Sequence, residues 1–222
     1  MYKSAGPKAI GFYSIIHIPE MQGRMKKNPF MHRTGKGCDS SERKKQGAYM
    51  KAKDHIKIAR TLAGTYALRG RRKGAFVIGN ILPDINIFSY LTPDRKNHLR
   101  GHSYTFKRRK MERHMNRPKT NSTCWWLRTG MLCHYLTDSF TGSHDEKRRM
   151  SLASHRQYEY RLHDLFIKNW RKLQVKPAEE LEQISETVAR MRREYEEARA
   201  GVETDCRMII EAVRNVIGTM AG

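Results

Sequence analysis

From position 50 onward apolar residues recur three and four positions apart, the spacing that lines one side of an α-helix. Ile56, Ala59, Leu62, Ala63 and Tyr66 predict a first amphipathic helix ending near Gly70. Residues 75–92 are apolar but broken by Gly79 and Pro83, which predicts a short helix and a turn. Pro93 opens a further segment, and residues 102–115 form a helix crowded with Lys and Arg. After a linker at 118–123, residues 125–140 make a strongly apolar, buried helix, with Thr141, Gly142 and Ser143 as its exit. Leu152, His155, Tyr158, Leu162, Leu165 and Phe166 mark an amphipathic helix over 151–173. Beyond Pro177 two apolar stripes follow, Leu181, Ile184, Val188, Met191, Tyr195 and then Cys206, Ile209, Val213, Ile217, predicting one or two long helices. No window alternates convincingly at period two, the mark of a half-buried strand, so the expected fold class is all-α, a multi-helix bundle.

Residues 1–49 are of another kind. Gly, Pro, Asn, Ser and basic residues dominate 21–46 without a helical or strand period, and such a segment buries too little apolar surface to offset its chain entropy. It reads as a disordered basic arm, with a native start at Met50 as the equal alternative. The expected organisation is that arm, a metal-binding helical domain over 50–175, and C-terminal helices over 176–222 packed on the same domain.

Composition narrows the class. The 222 residues, 38% hydrophobic, suit one domain with a core. The longest apolar run, 75–82, is cut by Pro83 and Asp84, far short of the ~20 residues a membrane span needs. The four cysteines, Cys38, Cys124, Cys133 and Cys206, are widely spaced, which argues against a disulfide framework or a thiolate zinc site. The short apolar stretch 9–18 runs into Pro19 and Glu20 rather than a small-residue cleavage site, so the expected compartment is the cytoplasm. The 44 basic and 22 acidic residues give a net charge of +22, which predicts attraction to nucleic acid or an anionic membrane surface.

The candidate chemistry lies in the histidines. His134 and Asp138 are one helical turn apart in a strongly apolar helix, where an unpartnered charge would be costly. His155 and Glu159 repeat the spacing, His144 follows the Gly142 exit, Asp84 follows Pro83, and His55 sits on the first helix. His98 and His102 form one more pair of that kind. Imidazole and carboxylate without thiolate suit zinc, and less specifically manganese or iron. Seven or eight such groups exceed one tetrahedral ion, so the bundle is expected to hold a cluster of two or more metals in its core.

The string His134-Tyr-Leu-Thr-Asp138-Ser-Phe-Thr-Gly-Ser-His144, followed by His155-Arg-Gln-Tyr-Glu159, resembles the bacterial zinc-dependent phospholipase C family, which carries H-Y-L-x-D-x-x-x-P-x-H and H-x-x-Y-E. Gly79-Asn-Ile-Leu-Pro-Asp84 resembles its G-x-x-x-P-D turn, and His55 its first-helix histidine. That family shares its all-α fold with single-strand-specific zinc nucleases. The resemblance implies that Asp84, His102, His134 and Asp138 hold a first zinc, that His144, His155 and Glu159 hold a second, and that His55 shares a third with Asp138. His102 is preferred to His98 because Tyr104 follows it closely, as an aromatic does in the family. Gly142 stands near the family's usual proline. Characterised members ligate the third ion with a processed N-terminal tryptophan; no tryptophan precedes Trp125 here, so two zinc ions, or two with a weakened third site, are expected.

The implied activity is hydrolysis of a phospholipid phosphodiester, with Asp84 either a ligand or the acceptor of the attacking water's proton. A nuclease on the same scaffold is the first alternative, for which Trp125 and Trp126 are candidate base-stacking residues. A non-catalytic basic helical module with a structural metal site is the second. Lys107, Arg108, Arg109 and Lys110 read as a solvated face or as a phosphate-attracting rim. His163-Asp164 lacks spaced partners and is taken as chance.

Overall fold

The structure is a computed structural model. It describes residues 50–85, 102–145, 151–177, 181, 183–198 and 201–222, which lie in one compact unit, Ser41–Gly222. The basic arm at 1–49, Cys38, the segment opened by Pro93, and His98 lie outside the described residues.

The chain is all-α. Seven helices follow one another among the described residues: α1 (Met50–Thr65), α2 (Gly70–Ile85), α3 (Tyr104–Met115), α4 (Thr123–Ser139), α5 (Leu152–Asn169), α6 (Ile184–Glu197) and α7 (Val202–Ala221). Short 3-10 turns cover Gly142–His144 and Trp170–Gln174. None of the described helices is long and apolar enough to cross a membrane.

Two of the expected boundaries move. α1 stops at Thr65, well before Gly70, because Ala67 takes the left-handed conformation (φ 51°). Leu68 N–H then bonds the Ala63 carbonyl at 2.8 Å and Ala67 N–H the Gly64 carbonyl at 3.1 Å, the paired bonds that close a helix and usually call for glycine. The turn expected at Pro83 does not form; α2 runs through Gly79 and Pro83 to Ile85. Pro83 lies in the last turn, so its missing N–H forfeits one intrahelical bond just before the helix ends.

α4 is the central element, and it packs most extensively on α2. The approach is backbone to backbone. A Cβ on Gly79 would overlap the Leu127 carbonyl, and one on Gly130 would overlap the Phe76 carbonyl. Buried hydroxyls on α4 are satisfied within the helix: Thr129, Thr137 and Ser139 donate to the carbonyls of Trp125, Cys133 and Tyr135 at 2.9, 3.0 and 2.6 Å. Asn121 (φ 57°) turns the chain into the helix, and Ser122 caps it by accepting from Trp125 N–H at 3.1 Å. α7 contributes the longest buried stripe, including Val202, Cys206, Ile209, Val213 and Ile217, and packs against α4, α5 and α6. On α1 the buried face carries Asp54, His55, Ile58, Ala59, Leu62 and Ala63; Ile56 is only partly covered.

Candidate metal centre

The buried middle of the bundle gathers six of the candidate side chains. α1 supplies His55, the end of α2 Asp84, the entry to α3 His102, α4 His134 and Asp138, and the 3-10 turn His144. Asp138 is the hub. One carboxylate oxygen, Oδ2, lies 2.9 Å from His102 Nδ1 and 3.1 Å from His134 Nε2. The other, Oδ1, lies 3.3 Å from His55 Nε2 and 3.8 Å from His144 Nε2. Asp84 Oδ1 is 3.8 Å from His134 Nε2, and the His55 and His134 rings stack with centroids 4.0 Å apart. Burial by itself would raise the Asp138 pKa, but the surrounding histidines, His144 and His134 foremost, hold the carboxyl well below its ordinary value.

The glycine crossing sets the tautomer of His134. With α2 held this close, the Asn80 backbone carbonyl lies 2.9 Å from His134 Nδ1. A carbonyl only accepts, so Nδ1 carries the proton and a neutral ring has a bare lone pair at Nε2. That lone pair faces the Asp138 carboxylate and His102 Nδ1, the latter at 3.1 Å. A single proton on His102 can serve one edge of this buried triangle, leaving the His134 and Asp138 electron pairs opposed. One cation at its centre satisfies all three. Zinc bonds of about 2.0–2.2 Å would set neighbouring ligand atoms roughly 3.3–3.6 Å apart, slightly wider than the triangle's edges.

A second overlapping group, His55, Asp84 and His134, also brings three ligand atoms within 4.8 Å of one another. His55 Nδ1 is buried without a hydrogen-bond partner. The donor set, nitrogen and carboxylate oxygen without sulfur, fits zinc.

His155 and Glu159 stand apart from the six. They face each other at 2.7 Å on α5, and no ion pair or hydrogen bond joins them to the Asp138 group among the described residues. Their helix is nonetheless tied to the turn carrying His144, because the Tyr158 hydroxyl, one residue before Glu159, accepts from Gly142 N–H at 2.8 Å. Exposure rises from His134 (0%) through His144 (12%) to His155 (22%), which makes His134 the floor.

Several supporting residues had no place in the sequence reading. Asp205 on α7, fully buried, accepts from Gly142 N–H and the Tyr195 hydroxyl, each at 2.9 Å, and from the Tyr158 hydroxyl. Its signal was available: a carboxylate inside the apolar stripe of Val202, Cys206 and Ile209. Arg192 on α6 donates to the Ser139 carbonyl at the end of α4, lies 3.7 Å from Asp145, and stacks on the Tyr195 ring at 4.9 Å. Asp54, next to His55, bonds His163 Nδ1 at 2.6 Å, and Asp164 pairs with Lys168 at 2.7 Å, so both residues of the His163-Asp164 dipeptide have structural partners.

The basic run on α3 divides. Arg108 pairs with Glu112, whereas Lys107 and Lys110 sit over the Tyr135 ring at 5.4 and 5.2 Å. Burial pushes the Tyr135 hydroxyl up to about 12. Trp125 and Trp126 are core residues, 5% and 1% exposed.

The family model for zinc dependent phospholipase C matches residues 54–215, a span that takes in all six gathered groups, the α5 pair and most of α7. The chain belongs to that family. No curated protein and no solved structure gives a match.

Proposed function

We propose that the protein is a zinc-dependent phosphodiester hydrolase of phospholipase C type, cleaving a phospholipid between glycerol and phosphate. The observation that carries this reading is the buried triangle of His102, His134 and Asp138, with the His134 lone pair turned inward by the Asn80 carbonyl. Asp84, His102, His134 and Asp138 would hold one zinc; His144, His155 and Glu159 would hold a second, and His55 borders a third position beside Asp138. Two ions per chain is the proposed content. Zinc, when bound, supplies positive charge for phosphate oxygens and a water that ionises near pH ~7 rather than ~15.7.

The chain's own residues do the rest. The Nδ1–H of His134, held by Asn80, fixes the ring so that Nε2 needs no reorientation. Asp84, at the end of α2 and 3.8 Å from His134, is the carboxylate we assign the attacking water's proton. Arg192 and Asp205 anchor the two ends of the corner that carries Asp138 and His144. The burial of Trp125 and Trp126 removes the obvious base-stacking platform and supports lipid over nucleic acid. The +22 charge is what favours the nuclease alternative.

The test compares phosphatidylcholine vesicles with single-stranded DNA, with zinc, at several salt concentrations. The expected results are lipid turnover, two zinc ions per chain, and loss of both in His134→Ala; Asp84→Asn should keep zinc at the floor and lose turnover. Turnover of DNA alone would replace this reading with the nuclease. Zinc retained without turnover of either would leave a basic module with a structural metal site, and a folded protein without zinc would end the hydrolase reading.

A further inference from the structure

Away from the metal centre, α3 and α4 enclose a cavity of about 340 Å³. Lys110 and Arg113 on α3, Arg117 just past its end and Arg128 on α4 line it, and no carboxylate does. Among the described residues Arg113, Arg117 and Arg128 have no ion pair or side-chain hydrogen bond, unlike Arg108, Arg190 and Arg207, each of which meets a glutamate one turn away. Unpaired cations are common on a chain of charge +22, so charge alone does not mark this place. What marks it is the concave apolar floor beneath them, formed by Met111, Met131 and Leu132.

His114 also lines the cavity, 93% buried, with Nε2 held 3.0 Å from the Thr129 hydroxyl. That hydroxyl spends its own proton on the Trp125 carbonyl, so His114 Nε2 donates and Nδ1 is a buried acceptor without a partner. Burial, with Arg128 and Arg117 adding to it, pushes His114 down to about 4, so the ring is neutral at pH 7 and the cavity's charge comes from its rim. The volume is that of a small-ligand site, which begins near ~300 Å³, and one bare phosphate would leave much of it unfilled.

We propose that this cavity is a docking site for the phosphate head group of an anionic phospholipid, with the rim cations on the phosphate and the methionine and leucine floor against the glycerol and first chain carbons. Cations over an apolar floor are complementary to a charged head on an apolar body, a match neither free phosphate nor a nucleic acid backbone offers. The site goes beyond the hydrolysis reading and does not require it. Its geometry does link the two: Tyr135 lines the cavity, and the same ring lies 5.8 Å from the His102 ring and 5.6 Å from the His134 ring. A lipid surface engaged here lies one side chain from the metal centre.

The experiment measures flotation of the full chain with vesicles of phosphatidylcholine alone and of phosphatidylcholine with phosphatidylglycerol, in chelator so that nothing is hydrolysed. Binding should require phosphatidylglycerol. Combining Arg113→Gln, Arg117→Gln and Arg128→Gln should weaken it roughly 100-fold, on the scale of about tenfold or less for each cation at an anionic surface. The charge-matched set Arg69→Gln, Arg71→Gln and Arg72→Gln, at exposed positions beside the start of α2, should leave binding unchanged. Met131→Ser should weaken vesicle binding, and inorganic phosphate should not displace the protein. Equal losses in both arginine sets, displacement by inorganic phosphate, or stronger competition from single-stranded DNA would each overturn the proposal. Zinc content and turnover of a water-soluble phosphodiester, measured on the same variants, report the metal centre separately. A protein that binds vesicles without turning over any diester loses the first reading and keeps this one; one that hydrolyses without needing the cavity arginines for binding does the reverse.

Discussion

Asp205 shows how much of the site depends on one side chain that is not itself a candidate ligand. Its carboxylate accepts from Tyr158 of α5, Tyr195 of α6 and the Gly142 amide, so three elements meet on it. Asp205→Ala would leave two hydroxyls and an amide buried without that acceptor, at about 3–5 kcal/mol. The expected outcome is a melting temperature lower by roughly 6–20 °C, and weaker zinc binding at the His144 side than at His134, read by calorimetry and zinc titration. His114 gives a pH signature. Its folded pKa of about 4 lies below the ordinary 6.5, so between these values the unfolded chain binds the proton and the folded chain does not. This group's contribution is therefore fully present above 6.5 and is lost as pH falls toward 4, by up to about 3 kcal/mol. Urea unfolding from pH 7 to pH 4 should show that slope, and His114→Gln should flatten it. None of these contacts was readable beforehand except as an oddity. Asp205 broke an apolar stripe, but its partners lie up to 63 positions away. The acceptor that sets His134 is a backbone carbonyl, which every residue has.

Helix spacing made the elements legible where a stripe met a strong punctuator. α3, α4 and α5 start within about two residues of the expected positions 102, 125 and 151. α1 ends before its expected boundary at Gly70 because the closing left-handed residue is Ala67, where glycine is the usual signal. Ala67→Gly should relieve about 1 kcal/mol of left-handed strain and raise the melting temperature by about 2–4 °C, leaving zinc content as it was. α2 continues past its expected break for the opposite reason: Gly79 reads as a breaker in isolation, yet it is the point where α2 lies against α4. Gly130→Ala tests that crossing. Its methyl would meet the Phe76 carbonyl and the Asn80 amide, so the helices must separate, costing about 1–3 kcal/mol or more and drawing the Asn80 carbonyl off His134. Zinc affinity should fall even in variants that still fold, as measured by competition with a chromogenic chelator.

At the scale of the molecule, the all-α class could be read from periodicity and the His134–Asp138 pair from spacing, because both are local patterns, whereas the partners that distant segments bring to Asp138 were implied only by the family resemblance. The buttress formed by α6 and α7 could not, since an arginine on an amphipathic helix ordinarily faces water. The architecture places opposed lone pairs at its centre, so zinc should stabilise the fold. A thousandfold excess of free zinc over its dissociation constant is worth about 4 kcal/mol, and melting in zinc should exceed melting in chelator by roughly 8–16 °C.

The position of Asp205 bears on how the protein is born. Chains are made from the amino end, and the amide of Gly142 has to wait 63 residues for the carboxylate that seats it. A nascent chain stalled before α7 would carry every histidine of the centre yet lack the anchor of the His144 turn. The corner that carries His144 is therefore fastened only once synthesis has passed Asp205.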